Sequence, residues 1–507
     1  MKRVFRMKIT TTVKALLLSL LLTYSFNSAY AEPKATDALT AMKKAARFMS
    51  EEVSYRGGYV FYYAEDLSMQ WGEIPARPTQ IWVQPPGTPA VGMMLLDAWK
   101  ITGDPDYLSW AKRAADALIY GQYPEGGWHY LIDFDMPGLA KWYEDVAVKC
   151  WGWEEYQHFY GNCSFDDEAT TAPTNLLLAL YEATLDPLYL PPLTKALDFI
   201  LRAQFPNGAW PQRFPLMYEH PQHGRPDYTS HYTLNDGVQS QNVETLWNAW
   251  EKLGREEYRE AAVRGMDFYI MAQLPEPQAG WADQYDHDMN PAWARNFEPP
   301  AVAVIQTMRC IQALEWFYTL TGDQRYLVPI PSAIDWIERS EINKEKSKKF
   351  TNPRSGNVSD YTHSYYYEPV TNKPIVAHRS GTGLDDEKFW ITNDFEGMYG
   401  YGPPFVVNLE PYKREYARIN ALSPDEALAE HVADRLKNKR IRKAGATWVE
   451  TIIDALDNRG AWVTTVSLAQ YTNDAVGNPP IPTRVIDIRN YTRSMYELMG
   501  YVESLNR

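Results

Sequence analysis

Apolar and polar positions follow a helical period along most of the chain. Ala111, Ala114, Ala115 and Leu118 recur at three- and four-residue spacing, the stripe that a helix buries against a neighbour. Such stripes repeat. Tyr107, Tyr189, Tyr258 and Tyr326 each follow a polar or Gly/Pro turn, at spacings of 82, 69 and 68 residues. The helix after each of the first three ends near Gln122, Gln204 or Gln273. A Gly-rich turn closing on an aromatic comes next: Gly126-Gly127-Trp128, Gly208-Ala209-Trp210 and Gly280-Trp281, with Gly57-Gly58-Tyr59 as an earlier copy. The unit is therefore two helices and a loop. Units of this kind cannot bury their apolar faces alone and must stack. The expected fold is all-α dominated: an α/α toroid of helical hairpins, with its loops gathered at one end.

Residues 340 to 410 interrupt the period. They are rich in Tyr, Asn, Gly and Pro and read as irregular or short β structure. Ser423-Pro424-Asp425-Glu426 then opens a helix, with a capping residue, a first-turn proline and acids that suit the dipole. The organisation expected is a leader over 1–31, a toroid over 32–410 and a C-terminal helical region packed on it over 411–507.

The leader reading rests on Lys2, Arg3, Arg6 and Lys8, the short apolar run Ala15 to Leu22 and the Ala29-Tyr30-Ala31 cleavage pattern. It predicts a secreted or periplasmic protein with no membrane partner after cleavage; the protein is separately expected to be a monomer. The formal net charge of the 507 residues is −14, which argues against nucleic-acid binding, since that needs Lys and Arg to neutralise phosphates. Three cysteines, Cys150, Cys163 and Cys310, cannot form a full disulfide framework and match no zinc spacing; the sequence does not say which of them, if any, are bridged. The 18 Trp, 35 Tyr and 17 Phe suit a helical core and sugar stacking equally.

Four segments carry candidate chemistry. Asp166-Asp167-Glu168-Ala169-Thr170 places adjacent carboxylates before an apolar run. It reads either as a helix cap or as a site for a hard cation, which would offset the cost of holding such charges together. Phe205 to Arg213 ends in Trp210-Pro211-Gln212-Arg213, an aromatic face, an amide and a cation. Tyr232-Thr233-Leu234-Asn235-Asp236-Gly237 is a polar turn leading into a helix. Trp281 to Asp288, followed by Ala294 to Pro300, concentrates Asp, His, Gln and Arg on one loop. No nucleophile elbow, zincin motif, P-loop or dinucleotide fingerprint is present in the sequence. What remains is carboxylate-based carbohydrate chemistry or cation-assisted elimination, and on residue type alone His287 or Tyr232 would be the first choice of base.

In their order, Asp166 to Thr170, Asn207 to Gln212, Asn235-Asp236, Gln284-Tyr285-Asp286, Ala294 to Pro300 and Tyr367 to Gly381 resemble the pectate lyases of polysaccharide lyase family 10, over roughly residues 35 to 405. The resemblance implies an (α/α)₃ toroid and calcium-assisted β-elimination of polygalacturonate or a related acidic polysaccharide. It implies Asp166, Asp167 and Asp236 at the Ca²⁺, Arg295 as the base that removes the C5 proton, and Arg379 on a neighbouring uronate carboxylate. Trp210, Gln212, Arg213, Tyr232 and Asp286 complete the expected substrate-binding set. The chain departs from the family at Glu168, at Ser380 and at Asp394 to Met398, where later paired arginines are missing, so the polymer is expected to be pectate or a modified uronate. Two other readings stand beside it. One is a toroid glycoside hydrolase using an aspartate pair such as Asp166 and Asp286. The other is a non-catalytic glycan binder that stacks sugars on Trp210, Trp281 and Tyr232.

Overall fold

The computed structural model describes residues 34–505 apart from 148–160, 217–226 and 468–481 and short breaks at 296, 346–347, 353–355, 383–384, 396–397, 399–401, 436 and 438–439. The expected leader, residues 1–31, and Cys150 lie outside the described residues.

Local signals set the helix ends. Asp104, Asp186 and Asp323 each accept a hydrogen bond from the backbone N–H two residues on, capping the next element. Gly103, Gly254 and Gly322 end the preceding helices at φ near +70°, a conformation that glycine adopts without a Cβ clash. Ser423 and Glu426 exchange bonds as a reciprocal cap.

Twelve of the helices form the architecture. In chain order they are α1 (Ala35–Phe48), α2 (Thr88–Thr102), α3 (Pro105–Tyr120), α4 (Thr171–Thr184), α5 (Leu190–Ala203) and α6 (Val238–Leu253). The second half is α7 (Glu256–Ala272), α8 (Val304–Thr321), α9 (Ile330–Arg339), α10 (Pro424–Arg435), α11 (Ala446–Asp454) and α12 (Ile488–Leu505). Even-numbered helices form an inner layer: α2 packs on α4, α4 on α6, and α8 on α10. Trp247 of α6 meets Phe317 of α8 edge-on at 5.3 Å. Odd-numbered helices pack outside them.

The Gly-aromatic turns lock each hairpin to the next. The indoles of Trp128, Trp210 and Trp281 are fully buried and donate to the carbonyls of Leu118, Ile200 and Tyr269 at the ends of the preceding outer helices. The glycine of each turn lies against the following outer helix. A Cβ on Gly57, Gly126 or Gly208 would fall 2.5, 2.4 or 2.0 Å from the carbonyl oxygen of Arg113, Lys195 or Arg264, and all three have positive φ. Gln122, Gln204 and Gln273 bridge their own turn and the next hairpin.

The sequence contains one more copy, Gly460-Ala461-Trp462, and it closes the ring. Trp462 donates to Ile452, and a Cβ on Gly460 would sit 2.7 Å from the Lys44 carbonyl of α1. α12 packs on α1 and α2, and the strand Pro482–Asp487 pairs antiparallel with Tyr62–Ala64, Tyr62 opposite Asp487. Among the described residues, 411–507 thus supply two inner helices and one outer helix of the ring, besides most of the helix Glu410–Asn420, and one large core runs from Ala38 to Val502. Cys163 and Cys310 are separate buried thiols. Residues 340 to 410 carry a longer hairpin than the short strands expected, Pro374–Thr382 with Asp385–Thr392.

The loops between repeats meet at one end. Two-stranded ladders join them in succession: Gln80–Trp82 with Leu131–Asp133, Cys163–Ser164 with Arg213–Phe214, and Tyr232–Thr233 with Gln284–Tyr285. Leu498 of α12 is fully buried. Leu498→Ala should lower the stability of the whole chain by about 2–5 kcal/mol. Chemical unfolding followed by helical circular dichroism and tryptophan fluorescence should show one transition moving; a toroid transition left in place would count against closure by α12.

Candidate active site

Equivalent positions of successive repeats build the site. The backbone N–H of Trp128 bonds to Thr170 and that of Trp210 to Gln239, so Asp167 and Asp236 each lie three residues before an equivalent anchor. Both residues sit in short 3₁₀ turns, Asp166–Glu168 and Asn235–Gly237, at the starts of α4 and α6. Their φ values are +47° and +51°. Left-handed backbone is tolerated by Asp better than by most residues, and here it brings the two turns together. Oxygen atoms of Asp166, Asp167 and Asp236 all lie within 4.8 Å of one another.

Arg295 enters from the loop before α8. Its backbone N–H donates to Glu298 Oε2 at 3.0 Å, which holds the Arg295-to-Glu298 turn. Arg295 is 5% exposed. Nη2 donates to Asp166 Oδ2 at 3.0 Å, and Nη1 to Asp236 Oδ2 at 3.1 Å and Glu298 Oε1 at 3.3 Å. Arg295 is therefore inside the aspartate cluster, not in a surface pairing.

Outer contacts position the acids. Tyr130 donates its hydroxyl to Asp166 Oδ2 at 2.7 Å, and Gln84 its amide to Asp167 Oδ2 at 3.2 Å. Asn235 bridges Asp236 and Glu298. Behind them, Tyr366 donates to Asp283, whose carboxyl is pushed up to about 6 by burial. Asn235 and Glu298 lie inside two of the segments that the sequence singles out, while Tyr130 and Gln84 lie outside them. Their signal is positional: Gln84 stands before α2 much as the aspartates stand before α4 and α6.

The electrostatics favour a bound cation. Burial, then the Asp166, Asp236 and Glu73 charges, raise the Asp167 carboxyl well above its usual range. Burial is the largest cause at Asp236 too. Arg295 opposes it, the Asp166 and Glu298 charges add to it, and the carboxyl rises to about 8. Asp166 Oδ1 is buried with no hydrogen-bond partner. Three converging carboxylates, with one oxygen of Asp166 left unpartnered, form a donor set suited to a hard divalent ion.

The remaining expected substrate contacts divide. Trp210 and Trp281 are fully buried, so neither can offer a face to a sugar; both are turn anchors. Gln212 and Arg213 are also buried, and Arg213 lies over the Tyr130 ring at 5.0 Å, behind the site rather than in contact with solvent. Tyr232 is half-buried among Phe205, Phe268 and His287. Asp286 Oδ1 accepts from the backbone of Asp288 and Asn290 and holds its own turn. Arg379 lies on the long hairpin opposite Phe389; its side chain is outside the described residues. For Trp210, Trp281, Gln212 and Arg213 the physical reason is shared: a residue at or just after the Gly-Trp turn points into the seam between hairpins.

The family profile described as Pectic acid lyase matches residues 140–401, a little over half of the chain. The chain belongs to the pectic acid lyase family. It is accordingly a polysaccharide lyase. No curated protein matches the sequence. Among solved structures, this lyase is similar to a variant of the family 10 polysaccharide lyase from Cellvibrio cellulosa in complex with trigalacturonic acid, at 16% identity and TM-score 0.42, covering 60% of this chain and 90% of that one. A second structure of the Cellvibrio cellulosa enzyme gives 17% identity and TM-score 0.40, over 58% and 84% of the two chains. The family 76 glycoside hydrolase Bt3792 of Bacteroides thetaiotaomicron gives 11% and 0.42, over 93% and 99%. Among the described residues no helix is long and apolar enough to cross a membrane.

The raised Asp236 carboxyl makes the metal-free lyase pH-sensitive. Native Asp236 holds its proton up to about pH 8, while the unfolded side chain releases it in the ordinary aspartate range. The native state binds more protons in that window, so stability falls as pH rises through it. A cation must displace that proton. Calcium chloride should therefore raise the melting temperature more at pH 8 than at pH 5, relative to EDTA; an equal rise at both would contradict the coupling.

Proposed function

We propose that this lyase is an exported, calcium-dependent enzyme that cleaves pectate or a related polyuronate by β-elimination, with Arg295 as the base. The observation that carries the reading is the position of Arg295: a buried guanidinium within hydrogen-bond reach of both Asp166 and Asp236, inside a cluster fit to hold a cation. The family description, pectic acid lyase, supports the substrate class, and the leader pattern in the sequence supports export.

Asp166, Asp167 and Asp236 would hold the ion. Bound there, calcium would act as a Lewis acid on the substrate carboxylate and stabilise charge developing next to C5. Arg295 takes the C5 proton; the C–H electron pair becomes the C4–C5 double bond, and the C4–O bond breaks. The departing oxygen takes a proton from water.

Guanidinium is normally always protonated, and three carboxylates around Arg295 favour that form further. Arg295 becomes a base only when those acids face a cation in place of the guanidinium and its own site is dry. Burial of Arg295 supplies the second condition, since desolvation disfavours its charged form. Glu298 grips the Arg295 backbone as well as its Nη1, so the side chain stays in place when Asp166 and Asp236 turn to the metal. Tyr130, backed by Arg213, orients Asp166 in either state.

The test is a panel of polyuronates followed by the near-ultraviolet absorbance of the unsaturated product, with calcium and with EDTA. Product should form on pectate or a close relative only with calcium. Arg295→Lys should lower kcat by about 10²–10⁴-fold with the fold intact by circular dichroism. Reducing ends that appear without the absorbance would replace elimination by hydrolysis.

A further inference from the structure

A cavity of about 660 Å³ opens beside Asp167 and Asp236 between the inner helices α6 and α8. On the α8 side its wall includes Gln306, Arg309 and Trp316, and on the α6 side Gln241. Gln306, Arg309 and Trp316 are spaced to share one helix face.

These side chains carry unused hydrogen-bonding capacity. Gln306 is 2% exposed and gives its amide to Cys310 Sγ at 3.5 Å, yet its Oε1 has no partner. Gln241 Oε1 is buried and equally unpartnered. A buried polar atom left in this state is costly unless a ligand completes it. Arg309 is exposed, and among the described residues no carboxylate lies within ion-pair distance of its guanidinium. The cavity therefore joins a free guanidinium, two amide acceptors and an indole to the acidic cluster. Guanidinium binds carboxylate as a fork, amide oxygens accept from hydroxyls, and indole covers a pyranose face.

We propose that this axial cavity is a sugar subsite, with Arg309 gripping the carboxylate of the uronate next to the one held at Asp166, Asp167 and Asp236. Gln306 and Gln241 accept its hydroxyls. The proposal deepens the polyuronate reading and rests on it. It also supplies, from inside the ring, a cation for the polyanion where the expected loop arginines near residue 394 are absent from the sequence.

Arg309→Gln and Arg309→Lys in the full-length enzyme test it. With calcium present, Arg309→Gln should raise KM for trigalacturonate about 10- to 100-fold while lowering kcat far less, and Arg309→Lys should recover part of the loss. The KM of the unsubstituted enzyme should rise more steeply with added salt than that of Arg309→Gln. An unchanged KM, or a loss confined to kcat, overturns the subsite. If the unsubstituted enzyme turns over no polyuronate, the catalytic reading fails separately. Calorimetric binding of trigalacturonate with calcium then decides the subsite: weaker binding by Arg309→Gln supports it, and equal binding, or none by either protein, overturns it.

Discussion

The structure depends on one electrostatic arrangement: a buried guanidinium held by the carboxylates of Asp166, Asp236 and Glu298, with a fourth carboxylate, Asp167, beside Asp166 and Asp236. Four negative charges against one positive charge leave a deficit that burial makes expensive. The raised Asp167 and Asp236 carboxyls express that deficit. Protonation relieves it in the metal-free state. A divalent cation held there, as proposed, would relieve it further and would loosen the hold of the acids on Arg295. Under that proposal, metal affinity, proton affinity and the state of the guanidinium would be a single coupled equilibrium.

The ring exists to hold that cluster. Asp166, Asp236 and Arg295 lie in loops before three successive inner helices, and no single hairpin could bring them together. Each hairpin is fixed to the next by a tryptophan anchor, a glycine pressed on a neighbouring carbonyl and a bridging glutamine. The same rule, applied at Gly460 and Lys44, joins the chain's last turn to its first helix. Loop positions at one end are therefore set by contacts repeated around the whole ring.

The seam geometry also explains which aromatic and polar residues can meet a substrate. Residues beside the Gly-Trp turns face into the seams and become core, whatever their type; Trp210, Gln212 and Arg213 are buried for this reason. Residues on the inner faces of α6 and α8 open to the axis, so Gln241, Arg309 and Trp316 reach the cavity. Arg213 still bears on the site indirectly, through Tyr130 and Asp166.

Helical periodicity and the recurring Gly-aromatic turns were enough, unaided by coordinates, to predict stacked hairpins with loops at one end. Those features are local, and local propensity carries them. Motif order pointed to Asp166, Asp167, Asp236 and Arg295, which the structure brings together at one place. Which residues close the ring was not legible: closure needs Gly460 to meet Lys44, more than four hundred residues away in the chain, and the pattern within either segment says nothing of its partner. Nor could sequence tell a stacking tryptophan from an anchoring one, or find Arg309 on an ordinary helix. Those depend on which side of each helix the neighbouring hairpins cover, and only the packing of the whole chain decides that.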